Sequence, residues 1–301
     1  MLSAELMTKV RQLQILTART VNEVFSGEYS SAFRGRGMEF DEVREYQPGD
    51  DIRTIDWNVT ARSGVPHVKR YVEERELTIM LAVDLSSSGH FGSVERIKNA
   101  LAAELCAVLA FAATRNNDKV GLLIFTDRIE LFIPPKKGTR HVLRIIREVL
   151  GFEMDPGRRR GTDITGALEH LSHVLRRHAV IFLISDFLVD DIGRERSGLE
   201  TALRLTNRRH DLVAIRVEDP REQELPRVGM IELEDAESGR RRILDTSSRR
   251  VRREYAARAI RLRDEYTRLM RRCGCDHVLV RTGEPYLHTL IQLFRRREHR
   301  R

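Results

Sequence analysis

Across its middle and C-terminal parts the chain alternates strand-length apolar runs with amphipathic helical segments, and this alternation most constrains what it can fold into. Leu77–Leu85 and Val120–Phe125 read as buried strands. Val94–Arg115 between them places Ile97, Leu101, Leu105, Leu109 and Ala112 on one helical face, completing a β-α-β unit. The spacing then predicts a short strand at Ile129–Ile133, helices at Thr139–Leu150 and Ile164–Arg176, a strand at Ala179–Ser185, a helix at Arg196–Arg208 and a strand at Asp211–Val217. Strands separated by helices pair through crossovers, so the pattern predicts an α/β fold with a doubly wound, mainly parallel sheet covered by helices on both faces. Residues 227–246 read as an inserted hairpin turning at Glu237-Ser238-Gly239. A long helix follows at Arg249–Arg272, with Val251, Tyr255, Ala259, Leu262, Tyr266 and Leu269 on its apolar face. A last strand at Val278–Val280 and a helix at Tyr286–Phe294 complete the pattern.

The N-terminal quarter has a different texture. Residues 3–25 carry Leu6, Val10, Leu13, Leu16 or Thr17, and Val24 at helical spacing. From Gly27 to Arg75 glycines, a Pro48-Gly49 pair and mixed charge predict turns and short strands. These readings set a boundary near Glu76, giving an N-terminal helix and small subdomain (1–75) and an α/β domain (76–301). No apolar run approaches the roughly 18–20 residues of a membrane-spanning helix, and the first residues lack an apolar signal core. With only three cysteines, too few for a disulfide framework, the expected compartment is the cytoplasm.

In a doubly wound sheet, ligands bind at the carboxyl ends of strands near the point where strand order reverses. Here those ends carry Asp84-Leu85-Ser86-Ser87-Ser88, Gly161-Thr162-Asp163 and Asp186, all rich in oxygen donors. An Asp followed by hydroxyls at two-residue spacing suits a hard cation such as Mg²⁺. At these residues the chain resembles the von Willebrand factor A-like domains and their metal-ion-dependent adhesion site (MIDAS). That resemblance implies Asp84, Ser86, Ser88, Thr162 and Asp186 as ligands of Mg²⁺, or of Mn²⁺ or Ca²⁺, with an open position for a partner carboxylate. The family often has Gly after the third-loop Asp, where this chain has Phe187.

A second resemblance is longer. Gly35-Arg36-Gly37-Met38-Glu39-Phe40 is followed by Arg44, Tyr46, Pro48-Gly49-Asp50-Asp51, Arg53, Ile55-Asp56-Trp57 and Ala61-Arg62, and the hairpin begins Gly229-Met230-Ile231-Glu232. These strings are similar to the signature of the family catalogued as domain of unknown function 58 (DUF58). The resemblance implies a non-catalytic adaptor working with a MoxR-type AAA+ ATPase. The interleaved charges Arg44, Asp50, Asp51, Arg53 and Asp56 around Trp57 form either a fixed ion-pair network or a partner-docking face, with Trp57 itself expected in the core.

Net charge is +8, with 53 Lys+Arg against 45 Asp+Glu, but residues 240–301 hold 19 arginines and 7 acids, so the excess lies in the C-terminal part. That surface makes a nucleic-acid-associated protein the alternative function. No G-x-x-x-x-G-K-[ST] or G-x-S-x-G string occurs, and His170 with His173, or Cys273 with Cys275, offers at most two soft metal ligands.

Overall fold

The computed structural model describes residues 8, 10–15, 17, 21, 23–33, 38–73, 76–87, 98–152, 161–189, 192, 197–234 and 239–300. The first part of the chain holds helix α1 (Glu23–Ala32), strand β1 (Met38–Glu45), a 3-10 turn (Ile52–Thr54), α2 (Trp57–Ser63) and β2 (His67–Glu73). The alternating part follows: β3 (Thr78–Asp84), α3 (Lys98–Arg115), β4 (Lys119–Phe125), β5 (Ile129–Lys136), α4 (Thr139–Leu150), α5 (Ile164–Val174), β6 (Val180–Ser185), α6 (Gly198–Arg209) and β7 (Asp211–Glu218). Last come α7 (Pro220–Gln223), β8 (Met230–Glu234), β9 (Arg241–Asp245), α8 (Arg249–Cys273), β10 (Asp276–Arg281) and α9 (Leu287–Glu298). They divide into two units, residues 33–77 and residues 1–32 with 78–301.

The larger unit is built on a six-stranded sheet of order β10-β7-β6-β3-β4-β5, parallel throughout except for the antiparallel edge pair β4–β5. β3, β4, β6 and β7 are buried along almost their whole length, which is why they read as continuous apolar runs instead of alternating ones. One face packs on α5, α6 and α8 through Leu168, Leu171, Leu203, Leu269 and Met270. Each such side chain contributes on the order of 1.5–3 kcal/mol on burial. The other face meets α3, whose residues from Leu101 to Ala113 are, apart from the buried Glu104, apolar and buried on nearly every side. Pro134 and Pro135 fall on the edge strand β5, where a missing N–H is tolerated. Because β4 lies on one side of β3 and β6 on the other, the crossovers diverge at the β3/β6 carboxyl ends.

α1 departs from the sequence reading in two ways. It runs to Ala32, through the exposed Gly27, so the irregular stretch begins later than Gly27. It also belongs to the larger unit, not to a 1–75 subdomain, because Phe25 and Tyr29 pack on Phe294 of α9 at 5.4 and 6.0 Å between ring centroids. Tyr29 further donates its hydroxyl to Asp118 (3.0 Å). Helical periodicity shows that a face is apolar; it does not show that its cover lies at the far end of the chain.

The smaller unit pairs β1 with β2 antiparallel, with an irregularity between Phe40 and Glu42. The predicted hairpin at 227–246 forms as β8 paired with β9; Glu237 and Ser238 of its turn lie outside the described residues.

Candidate functional site

Asp84 is the last residue of β3 and Asp186 the first after β6, so the crossover point of the sheet brings two carboxylates together. Both are buried, at 7% and 6% exposure. The Ser86 N–H donates to Asp84 Oδ1 (3.0 Å) and Ser185 Oγ donates to Asp84 Oδ2 (2.6 Å), fixing that carboxylate in the turn. Thr162, entering from the loop before α5, donates its hydroxyl to Ser86 Oγ at 2.8 Å. Asp84, Ser86, Thr162 and Asp186 therefore meet at one place, while Ser88 lies outside the described residues. Burial, and then the charge of Asp186, push the Asp84 carboxyl up to about 6, against the opposing hydrogen bonds from Ser185 and Ser86.

The neighbouring Asp163 serves the local fold instead, accepting from the Gly166 N–H and capping α5. Asp186 does not cap α6, which is capped by Ser197; its Oδ1 instead accepts from the Leu188 N–H (3.1 Å). Phe187 adopts φ 54°, the left-handed region that glycine occupies most easily. Its ring is buried and lies 4.9 Å from that of Tyr266 in α8, which explains how a bulky residue is held there.

Two charged residues that the sequence reading did not single out complete the site. Lys98, at the start of α3 and 3% exposed, donates Nζ to Asp186 Oδ2 and to Glu222 Oε1, each at 2.6 Å. Glu222 belongs to α7, whose capping box uses Asp219 and Glu222; Glu222 Oε2 accepts from the Asp219 N–H at 3.1 Å. Burial alone would lower the Lys98 pKa, but Asp186 and Glu222 outweigh it and raise it, so the group is an ammonium. The Asp219-Pro220-Arg221-Glu222 string carries the signal for the capping box. Nothing in the string shows that Lys98, 124 residues away, would reach it.

The donors present are carboxylate and hydroxyl oxygens, two of the carboxylates buried side by side, and a lysine ammonium already sits against one of them. That set fits a hard cation. Among the described residues no cluster of three or more His, Cys, Asp and Glu could hold a metal, so any ion here relies on hydroxyls as well as carboxylates.

In the smaller unit Arg44, Asp50, Asp51 and Asp56 serve the local fold. Arg44 pairs with Asp50 through two bonds of 2.9 and 2.6 Å, and this partner holds the Asp50 carboxyl below its usual range. Asp51 caps the 3-10 turn and Asp56 caps α2, where it also meets Lys69 at 3.4 Å. Arg53 and Trp57 remain on the surface. Trp57 is 69% exposed, which corrects the expectation that it lies in the core. α2 buries none of its residues and is held by caps at both ends, Asp56 and the left-handed Gly64, so its tryptophan has no core to enter.

A family model described as "Protein of unknown function DUF58" matches residues 42–265. "Uncharacterized protein Rv1480" of Mycobacterium tuberculosis (strain ATCC 25618 / H37Rv) is 33% identical over 290 residues, covering 96% of this chain and 88% of the relative. The chain belongs to the DUF58 family. Among solved structures, this DUF58 protein is similar to an aerotolerance-related membrane protein from Bacteroides fragilis NCTC 9343 bearing multiple mutations to serines. The two are 14% identical, with 75% of this chain and 100% of that one covered and a TM-score of 0.48. A von Willebrand factor type A protein from Catenulispora acidiphila is 13% identical, covering 76% of this chain and 43% of that one, with a TM-score of 0.40. The DUF58 chain itself has the von Willebrand A-like arrangement: a first sheet strand in the centre, crossovers diverging from it and one antiparallel edge strand. Among its described residues no helix is long and apolar enough to cross a membrane.

Proposed function

We propose that this DUF58 protein is a non-catalytic interaction module that engages an acidic residue of a partner through a divalent cation at the β3/β6 carboxyl ends. The observation carrying the reading is the convergence there of Asp84, Ser86, Thr162 and Asp186 from three separate loops. Asp84, Ser86, Ser88, Thr162 and Asp186 would hold Mg²⁺, or Mn²⁺ or Ca²⁺. Once bound, such an ion supplies a Lewis-acidic position for a carboxylate ligand. The chain's own residues prepare the place: Ser185 and the Ser86 N–H aim the Asp84 carboxylate, and the Thr162 hydroxyl is held on Ser86. Family resemblance points to a MoxR-type AAA+ ATPase as the partner. The three free, buried cysteines Cys106, Cys273 and Cys275 suit action in the reducing cytoplasm. Asp84→Ala is expected to abolish Mg²⁺ binding measured by calorimetry and to lose capture of the ATPase in a pull-down. If both survive, the mechanism is wrong.

A second reading rests on α8, where Arg249, Arg250, Arg253, Arg261 and Arg263 are exposed. Nucleic-acid binding through this face would show a steep salt dependence lost on neutralising those arginines and unaffected by Asp84→Ala.

A further inference from the structure

We propose that Lys98 governs the metal affinity of the strand-end site: its ammonium competes with a divalent cation for Asp186 and thereby sets how tightly metal binds. The inference rests on the metal reading above. A lysine is almost never buried to 3% exposure unless it is paired, and here it is paired twice. Glu222 is set in place independently of the lysine, because its other oxygen closes the capping box on Asp219, whose carboxylate is in turn bonded by Thr282 (2.9 Å). An ammonium bridging this anchored carboxylate and Asp186 is held by two charge-assisted hydrogen bonds of 2.6 Å.

Both oxygens of Asp186 are engaged, Oδ2 by Lys98 and Oδ1 by the Leu188 N–H. A cation taking Asp186 as a direct ligand must therefore displace the ammonium or share the carboxylate with a positive charge in a buried site, where like charges repel strongly. The Asp84 oxygens accept from neutral donors, the Ser86 N–H and the Ser185 hydroxyl, and from no described hydrogen bond of Lys98, so a cation can take Asp84 without displacing a positive charge. Glu222 lies outside the D-x-S-x-S, Thr and Asp set; the capping box places it, and its remaining oxygen holds Lys98.

The test is calorimetric titration of the full-length chain with MgCl₂ and with MnCl₂ after removal of divalent ions. Lys98→Met keeps the length of the stem and removes the charge. It should bind at least about tenfold more tightly than the wild type, since one ionic bond no longer has to be broken and one repelling charge is gone. Lys98→Arg, which keeps the charge, should stay near the wild-type affinity. Lys98→Gln serves as a second neutral variant should the methionine variant fail to fold, with circular dichroism monitoring the fold. Binding by a neutral variant where the wild type shows none also supports the proposal. A wild type that binds metal beside neutral variants that bind no more tightly overturns the competition and leaves the metal reading standing. Absence of binding in every variant overturns both.

Discussion

Replacing Phe187 by alanine and by glycine separates the two forces acting on the residue that follows Asp186. Its backbone sits at φ 54°, a conformation that costs an L side chain roughly 1–2 kcal/mol. Its ring is 2% exposed and packs on Tyr266, and truncating a buried phenylalanine to alanine costs about 3–5 kcal/mol. Phe187→Ala loses the ring and keeps the backbone strain, so it should lose about 3–5 kcal/mol. Phe187→Gly loses the same ring and relieves the strain, while gaining unfolded-state freedom worth about 0.5–1 kcal/mol. The glycine variant should therefore be the more stable of the two by about 1 kcal/mol, the reverse of the usual order in helices and strands. Urea unfolding at neutral pH measures this difference from the midpoints, provided the slopes agree. An alanine variant as stable as the glycine variant would refute the idea that strain is held at Phe187 by its contact with Tyr266.

Two further outcomes follow from buried and exposed side chains elsewhere. His210 is 2% exposed, neither ring nitrogen is hydrogen-bonded among the described residues, and burial, then Arg209 and His178, lower its pKa from 6.5 to about 4. At His210 the folded state therefore binds fewer protons than the unfolded one between these values, so its contribution to stability is full above about pH 6.5 and falls by up to about 3 kcal/mol as pH drops towards 4. The Asp84 carboxyl, pushed up to about 6, acts in the opposite direction over the lower part of this range, so the His210 contribution is read as the difference between wild type and His210→Phe in urea titrations from pH 7.5 to 4; a difference that does not change with pH would exclude it. Trp57→Ala should change stability by less than about 0.5 kcal/mol, because the residue is 69% exposed, while weakening capture of the proposed MoxR-type ATPase partner. A large loss of stability with unchanged capture would show that the ring packs and does not dock.

Much of the larger unit is legible in the amino-acid string because its sheet is covered on both faces. β3 and β6 read as unbroken apolar runs, and the i, i+3, i+4 pattern places α4 to the residue. The three oxygen-bearing loops are legible for a related reason. They follow strands, and the doubly wound topology places the ends of those strands together whatever the connecting lengths. The small subdomain is harder to read, since its ends are held by caps and ion pairs that leave Trp57 in solvent, and apolar residue type alone does not distinguish a buried ring from an exposed one.

By itself, then, the sequence determined the alternation of strands and helices that builds the six-stranded sheet, the family and the hydroxyl-and-carboxylate character of the strand ends, because these follow from local periodicity and short fixed spacings. Only the tertiary structure decided that α1 closes on α9, that Phe187 stands in a glycine conformation beside Tyr266, and that Lys98 bridges Asp186 and Glu222. Those contacts join residues tens to hundreds of positions apart. Burial raises the energetic stake of each charged pair, and burial is a property of the assembled chain.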